Sequence, residues 1–200
     1  MATRDRGAQS YVVMLKLNNK YYILRHGEAL SNVKNICSSF PETFENPLTG
    51  LGREMIKVSA EDLSKKNIDL IFASDILRTK QTAGIVAEKL NLPITFDTRL
   101  REINFGEFNG KTVEESEAYF QQESHRITQA FPEGENYEQL AERISDFLKS
   151  TEDKYKNKTI LIVTHGFFWW ILKSTINGIS LVEAIKQDRE IHTGESKELN

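Results

Sequence analysis

At 200 residues the chain is long enough for one domain with a substantial core and short for two. A hydrophobic fraction of 39% and a mixed charged fraction of 28% exclude a wholly disordered chain. A formal net charge of −3 leaves no global field to draw it to nucleic acid or to an anionic membrane.

Residues 1–13 precede a second methionine, Met14, and read as an unstructured leader or an expression remnant. One domain is expected over 14–200, with a polar tail from about 187 that reads as frayed. Residues 21–24 form a short aromatic and β-branched run that stops at Arg25-His26-Gly27, the pattern of a strand meeting a glycine turn. Residues 31–47 carry Asn, Ser, Pro and the lone Cys37, as a loop does. Leu51, Met55, Val58 and Leu63 then recur at helical spacing behind a Thr49 cap. Leu70–Ala73 is the next strand, and Ser74 reads as the cap of a helix running to about Leu90.

Ile94–Phe96 is a brief strand. Thr112 and Glu115 make a capping box that predicts a polar helix through roughly Ser124. Tyr137, Leu140, Ile144, Phe147 and Leu148 form the cleanest helical stripe in the chain. Thr159–Thr164 is continuously apolar and β-branched, as a strand buried on both faces should be. It ends at His165-Gly166 and leads into an apolar helix in which Trp169 and Trp170 read as core. Alternating strands and helices predict an α/β fold, a three-layer α/β/α arrangement on a mainly parallel sheet.

One cysteine rules out an intrachain disulfide and fits a reducing compartment. The apolar runs at 11–15 and 167–172 are too short for a typical signal segment or a spanning helix. A soluble, cytoplasmic protein is expected.

In open α/β sheets ligands bind beyond the carboxyl ends of the strands. Here three strands end on useful chemistry. One delivers Arg25-His26-Gly27, one leads to Arg78 within a helical turn, and one delivers His165-Gly166. Two histidines, two arginines and an acid are what phosphoryl transfer through a phosphohistidine requires. An imidazole attacks phosphorus if one ring nitrogen is unprotonated and the other is held. Guanidinium forks stabilise the oxygens, and a carboxylic acid protonates the leaving alcohol. Glu102 and Glu107 are both candidates for that acid. The scheme demands no metal and no cofactor.

Four segments in order resemble the signatures of the histidine phosphatase superfamily, which includes the phosphoglycerate mutases. They are Arg25-His26-Gly27-Glu28 with Asn32, the stretch from Ser74 to Ala83 with Arg78, the stretch from Leu100 to Gly110 with Glu102, and Val163-Thr164-His165-Gly166. Pro47-Leu48-Thr49 with Leu51-Gly52-Arg53 resembles that family's run into its first helix. The resemblance implies a phosphoglycerate mutase-like fold, with His26 as nucleophile and Arg25, Arg78 and His165 as a phosphate pocket. It also implies Asn32 and Gly166 beside the phosphate and Glu102 as acid, then base. Phe108 and Asn109 depart from the family's usual Trp and Glu and could alter the pocket wall. Glu28 reads as structural, and His125 and His192 as solvent-exposed.

The function expected is a metal-independent phosphomonoesterase acting on a small phosphorylated metabolite. The alternatives are a cofactor-dependent phosphoglycerate mutase and a non-catalytic protein that only binds a phosphorylated ligand. Competing motifs fail on spacing. Cys37 lacks an arginine six positions on, and Gly106 to Thr112 has three residues between its glycines where a P-loop needs four. No zinc-ligand spacing exists, and the oligomeric state is not encoded in any motif.

Overall fold

The computed structural model describes residues 16–187 and 190–200; the leader expected at 1–13 lies outside the described residues. Among the described residues five strands form one sheet: β1 (Lys20–Arg25), β2 (Leu70–Ala73), β3 (Ile94–Phe96), β4 (Thr159–Thr164) and β5 (Ser196–Glu198). Their spatial order is β3-β2-β4-β1-β5, and every pairing is parallel except that of β5 with β1. The helices are α1 (Leu30–Lys34), α2 (Gly50–Leu63), α3 (Leu77–Leu90), α4 (Val113–Ala118), α5 (Tyr137–Lys154), α6 (Gly166–Asn177) and α7 (Leu181–Ala184).

Strand alternation sorts the core into two layers. Tyr21, Ile23, Phe72, Ile160 and Ile162 face α5 and α6, where Leu140, Ile144, Phe147, Phe168 and Trp170 meet them. Tyr22, Leu24, Ile71, Leu161 and Val163 face α2 and α3, against Ile56, Ala60, Ala83 and Val86. This is the three-layer α/β/α arrangement. β4 lies between β1 and β2 and is buried from Ile160 onward, which explains its unbroken apolar sequence.

Three expectations need correction. The tail is polar, but it is not frayed at its end. Ser196–Glu198 pairs with β1 in antiparallel register, and Tyr22 donates its hydroxyl to Glu198 at 2.7 Å. The polar helix opened by Thr112 stops at Ala118, and a 3-10 turn, Glu123–Ile127, follows it. Ser74 does not cap α3. The N-cap is Ile76, whose apolar side chain offers no cap bond, and Ser74 lies two residues before it with its hydroxyl beside His165. The Thr49 cap holds: its hydroxyl accepts from the Gly52 amide at 2.9 Å.

Candidate active site

Parallel register brings three strand ends to one rim. Arg25 lies opposite Thr164 and Ala73 opposite Val163, so His26, His165 and Ser74 emerge side by side. The backbone continues the pairing, with the His26 amide donating to Thr164 and the Ser74 amide to Val163, both at 3.0 Å. The two imidazoles stand edge to face with centroids 5.3 Å apart.

The turn after β1 is held by close backbone packing. A Cβ on Gly27 would lie 2.5 Å from the Gly52 carbonyl oxygen, and one on Gly52 would lie 2.0 Å from that of Glu28. Only glycine at both positions lets α2 press onto the His26 turn. Glu28 has the structural role expected of it, since its carboxylate accepts the Thr49 hydroxyl at 2.7 Å.

His26 is 3% exposed. Its Nδ1 lies 2.8 Å from the Gly27 carbonyl oxygen, and its Nε2 accepts from Arg78 Nε at 3.1 Å. A carbonyl can only accept, so Nδ1 carries the proton and Nε2 the lone pair. Burial, and then the charges of Arg78 and Arg25, hold this imidazole well below the usual histidine range, so it is neutral at pH 7.

Arg78, on the first turn of α3, is 2% exposed and central. Besides His26 it donates through Nη2 to the Ser38 carbonyl at 3.0 Å and to His165 Nδ1 at 3.1 Å. Since Nδ1 of His165 accepts, its Nε2 donates to the Ser74 hydroxyl, 3.0 Å away. An arginine on a helix's first turn is disfavoured unless an anion accompanies it, and the chain supplies one. Glu42 Oε2 accepts from the Leu77 amide at 3.3 Å, while its Oε1 lies 3.7 Å from Arg78 Nη1.

Glu102 stands at this site and Glu107 does not. The Glu102 side chain is 10% exposed, its Oε2 3.9 Å from His165 Nδ1 and its Oε1 accepting the Ile103 amide at 2.9 Å. Burial raises its pKa above the usual carboxylate range, against the opposing pull of Arg78, Arg25 and Arg143. Glu107 is exposed. Arg143, which sequence reasoning passed over, fixes the Glu102 segment. It donates to the backbone carbonyls of Arg99, Arg101 and Glu102 at 2.7–3.0 Å and grips Glu135 with both Nε and Nη2 at 2.9 Å.

These groups border a cavity of about 210 Å³ whose wall includes Arg25, His26, Asn32, Ser38, Arg78 and Glu102. A second space of about 450 Å³ adjoins it, sharing Arg25, Glu102, Glu117, Arg126 and Phe167. Asn32 faces the inner cavity, although its Oδ1 is committed to the Ala29 amide at 2.9 Å. Gly166 borders only the outer one, and a Cβ there would come within 3.3 Å of the Arg25 guanidinium carbon. His165, fully buried, stands behind Arg78 and contributes to neither wall. Phe108 and Asn109 line neither cavity. Phe108 packs on Tyr119 and Phe131, and Asn109 ties down the Ser39–Pro41 loop. Cys37 borders the inner cavity, but burial pushes its thiol up, away from the reactive thiolate. His192 is exposed, whereas His125 is half-buried. Among the described residues no group of three or more His, Cys, Asp or Glu side chains could hold a metal ion, and no helix is long and apolar enough to cross a membrane.

Fold and site together define an α/β protein with a buried, arginine-lined cavity at the carboxyl edge of its sheet, bearing a neutral imidazole and a protonatable carboxyl. The family model for the histidine phosphatase superfamily, branch 1, matches residues 21–193, and the chain belongs to that family. It is 32% identical over 163 residues to the probable phosphoglycerate mutase GpmB of Escherichia coli O1:K1, covering 79% of this chain and 74% of that protein. Among solved structures, Bacillus stearothermophilus YhfR superposes with a TM-score of 0.78 at 26% identity over 89% of each chain. A mycobacterial glucosyl-3-phosphoglycerate phosphatase superposes with a TM-score of 0.65 at 26% identity, over 80% of this chain and 82% of that one.

Proposed function

We propose that the protein is a metal-independent phosphomonoesterase that acts on a small phosphorylated metabolite through a phosphohistidine on His26. The observation that carries this reading is the fixed tautomer of His26, whose proton is tied to the Gly27 carbonyl and whose lone pair is on Nε2. In the first step Nε2 attacks phosphorus, the ester P–O bond breaks, and the Glu102 carboxyl proton passes to the departing oxygen. In the second, the Glu102 carboxylate takes a proton from water as the new P–O bond forms. The P–N bond then breaks, returning the lone pair to His26. Arg25, Arg78 and Asn32 hold the non-transferring oxygens, the guanidiniums supplying the charge neutralisation that a metal supplies in other phosphoryl transfers. His165 keeps the Arg78 fork aligned from behind, and Gly166 leaves room for Arg25.

The test is hydrolysis of an aryl phosphate in EDTA by wild type and His26→Ala, with trapping of an acid-labile phosphoenzyme. Wild type turns over and labels, and the variant does neither. Full activity in His26→Ala, or two inert proteins at micromolar enzyme, overturns the reading; inertness with tight phosphate binding favours a binding protein without turnover.

Return of the phosphoryl group to substrate, as in a cofactor-dependent phosphoglycerate mutase, has the name of the Escherichia coli relatives in its favour. Against it, the chain between Gly110 and Pro132 holds only the six residues of α4 and one 3-10 turn. That is little material with which to close over an intermediate and exclude water. Phosphoglycerate interconversion, with and without added bisphosphoglycerate, separates the two. The single cysteine and ordinary composition support a soluble, cytoplasmic setting.

A further inference from the structure

Arg78 divides its hydrogens unevenly. Nε donates to His26 at 3.1 Å, and Nη2 spends both hydrogens, on the Ser38 carbonyl at 3.0 Å and on His165 Nδ1 at 3.1 Å. Nη1 has only the Ser38 hydroxyl, at 3.4 Å. It is the nitrogen with most left to offer a ligand in the inner cavity, which Arg78 borders.

The same nitrogen faces an anion of the chain itself. Glu42, on the loop between α1 and α2, places Oε1 3.7 Å from Nη1. Its other oxygen, Oε2, accepts the Leu77 amide at 3.3 Å, so capping α3 accounts for that oxygen alone. Oε1 is buried and accepts no hydrogen bond. Among the described residues the one ion-pair partner of Glu42 is Arg78. Glu42 is not part of the cavity wall, so it acts on a ligand there only through that guanidinium. Its loop is tied at both ends. Asn109 donates to the Ser39 and Pro41 carbonyls at 3.3 and 2.7 Å, and the fully buried Asn46 donates to the Ser31 and Ser38 hydroxyls at 2.9 and 3.1 Å.

We propose that Glu42 is a positioning residue that acts through Arg78 and limits how tightly the site holds phosphate. Resting on the phosphomonoesterase reading, this gives the carboxylate a part in turnover. A phosphate on Nη1 shares that nitrogen with a fixed negative charge, and at low dielectric the two anions repel. Ester and inorganic phosphate are weakened alike, which lets product leave.

The experiment measures binding of inorganic phosphate by calorimetry, and its Ki against aryl phosphate hydrolysis, in wild type and Glu42→Gln. Glutamine keeps the side-chain length and an acceptor for Leu77 while removing the charge. Phosphate should bind about 10- to 100-fold tighter in the variant, the scale of one charge acting across a buried guanidinium. KM for the aryl ester should fall in step with Ki and kcat should not rise, the pattern of uniform binding. Glu45→Gln makes the same change of net charge at an exposed position of the same loop and should leave phosphate affinity as it is. Unchanged or weaker phosphate binding in Glu42→Gln overturns the proposal, and so does equal tightening in Glu45→Gln. Glu42→Gln should also melt lower than wild type without phosphate, because Arg78 loses its counter-charge, and gain more from added phosphate; a smaller gain overturns the proposal too. Glu42→Asp keeps the charge but withdraws it by one methylene, so its phosphate affinity should fall between the other two. That variant decides the matter if Glu42→Gln does not fold, since affinity no higher than wild type's is then the refuting result. Calorimetry needs no turnover, so the parent reading fails separately, through two inert proteins.

Discussion

Burying two neutral histidines sets an acid limit on stability. His26 and His165 are 3% and 0% exposed, and burial, followed by the Arg78 charge, holds both well below the ordinary histidine range. Their folded pKa values are depressed, so as the pH drops the unfolded chain binds protons that the native protein refuses. The stability they contribute is therefore present above the unfolded value, about 6.5, and is lost as pH falls from there toward the folded values. If neither imidazole protonates while folded, going from about pH 7 to about pH 5.5 costs about 1.2 kcal/mol per histidine, or about 2.5 kcal/mol for the pair. For a chain of this size that is roughly 5–10 °C in Tm. Glu102 acts oppositely, since its raised pKa lets the native state take a proton first. Urea denaturation at both pH values, for wild type and the double variant His26→Asn/His165→Asn, isolates the histidines because Glu102 is common to both. The double variant should lose about 2.5 kcal/mol less than wild type over this interval. Equal losses would refute the claim that the site holds its imidazoles neutral by burial and arginine charge.

Glu102→Gln should slow hydrolysis of alkyl phosphates by about 10²- to 10⁴-fold and affect aryl phosphates far less, because a good leaving group needs no proton. The same variant should gain stability over wild type as pH rises above the unfolded carboxylate value, where the buried wild-type carboxyl must ionise, and match it in strong acid; a uniform kinetic loss would remove Glu102 from the proton-donor role. Gly52→Ala should lower stability by at least about 1–3 kcal/mol through its backbone clash with Glu28. Gly50→Ala, whose Cβ meets nothing within 4 Å, is the control in the same thermal melts.

Much of this molecule is legible in the sequence because its governing interactions are local or periodic. Alternation assigns Tyr21 and Tyr22 to opposite faces, and a 3.6-residue stripe assigns α5 to the core. The strand-end histidines are legible for the same reason: an apolar run that stops at His-Gly marks both an element and its rim. Ser74 misleads because its residue type permits a cap, while its actual partner, His165, lies 91 residues away. Propensity cannot weigh a contact at that separation.

Arginines divide along the same line. Arg25 and Arg78 announce themselves by adjacency to a strand end or a helix start. Arg143 sits mid-helix on an amphipathic face, where a cation ordinarily means solvent. Its role appears only once the fold brings the carbonyls of Arg99, Arg101 and Glu102 within 3.0 Å. Glu102 is then a protonatable acid for two separable reasons. Burial raises its pKa, and a distant guanidinium, anchored on Glu135, holds the segment that carries it. Arg143 is among the groups pulling that pKa down, so the clamp that positions the acid also moderates its shift. Removing Arg143 would therefore loosen Glu102 and raise its pKa further at once. A leaving-group series, read across pH, distinguishes those effects: looser positioning lowers the rate on poor leaving groups at every pH, whereas the added shift moves the alkaline limb of the profile upward.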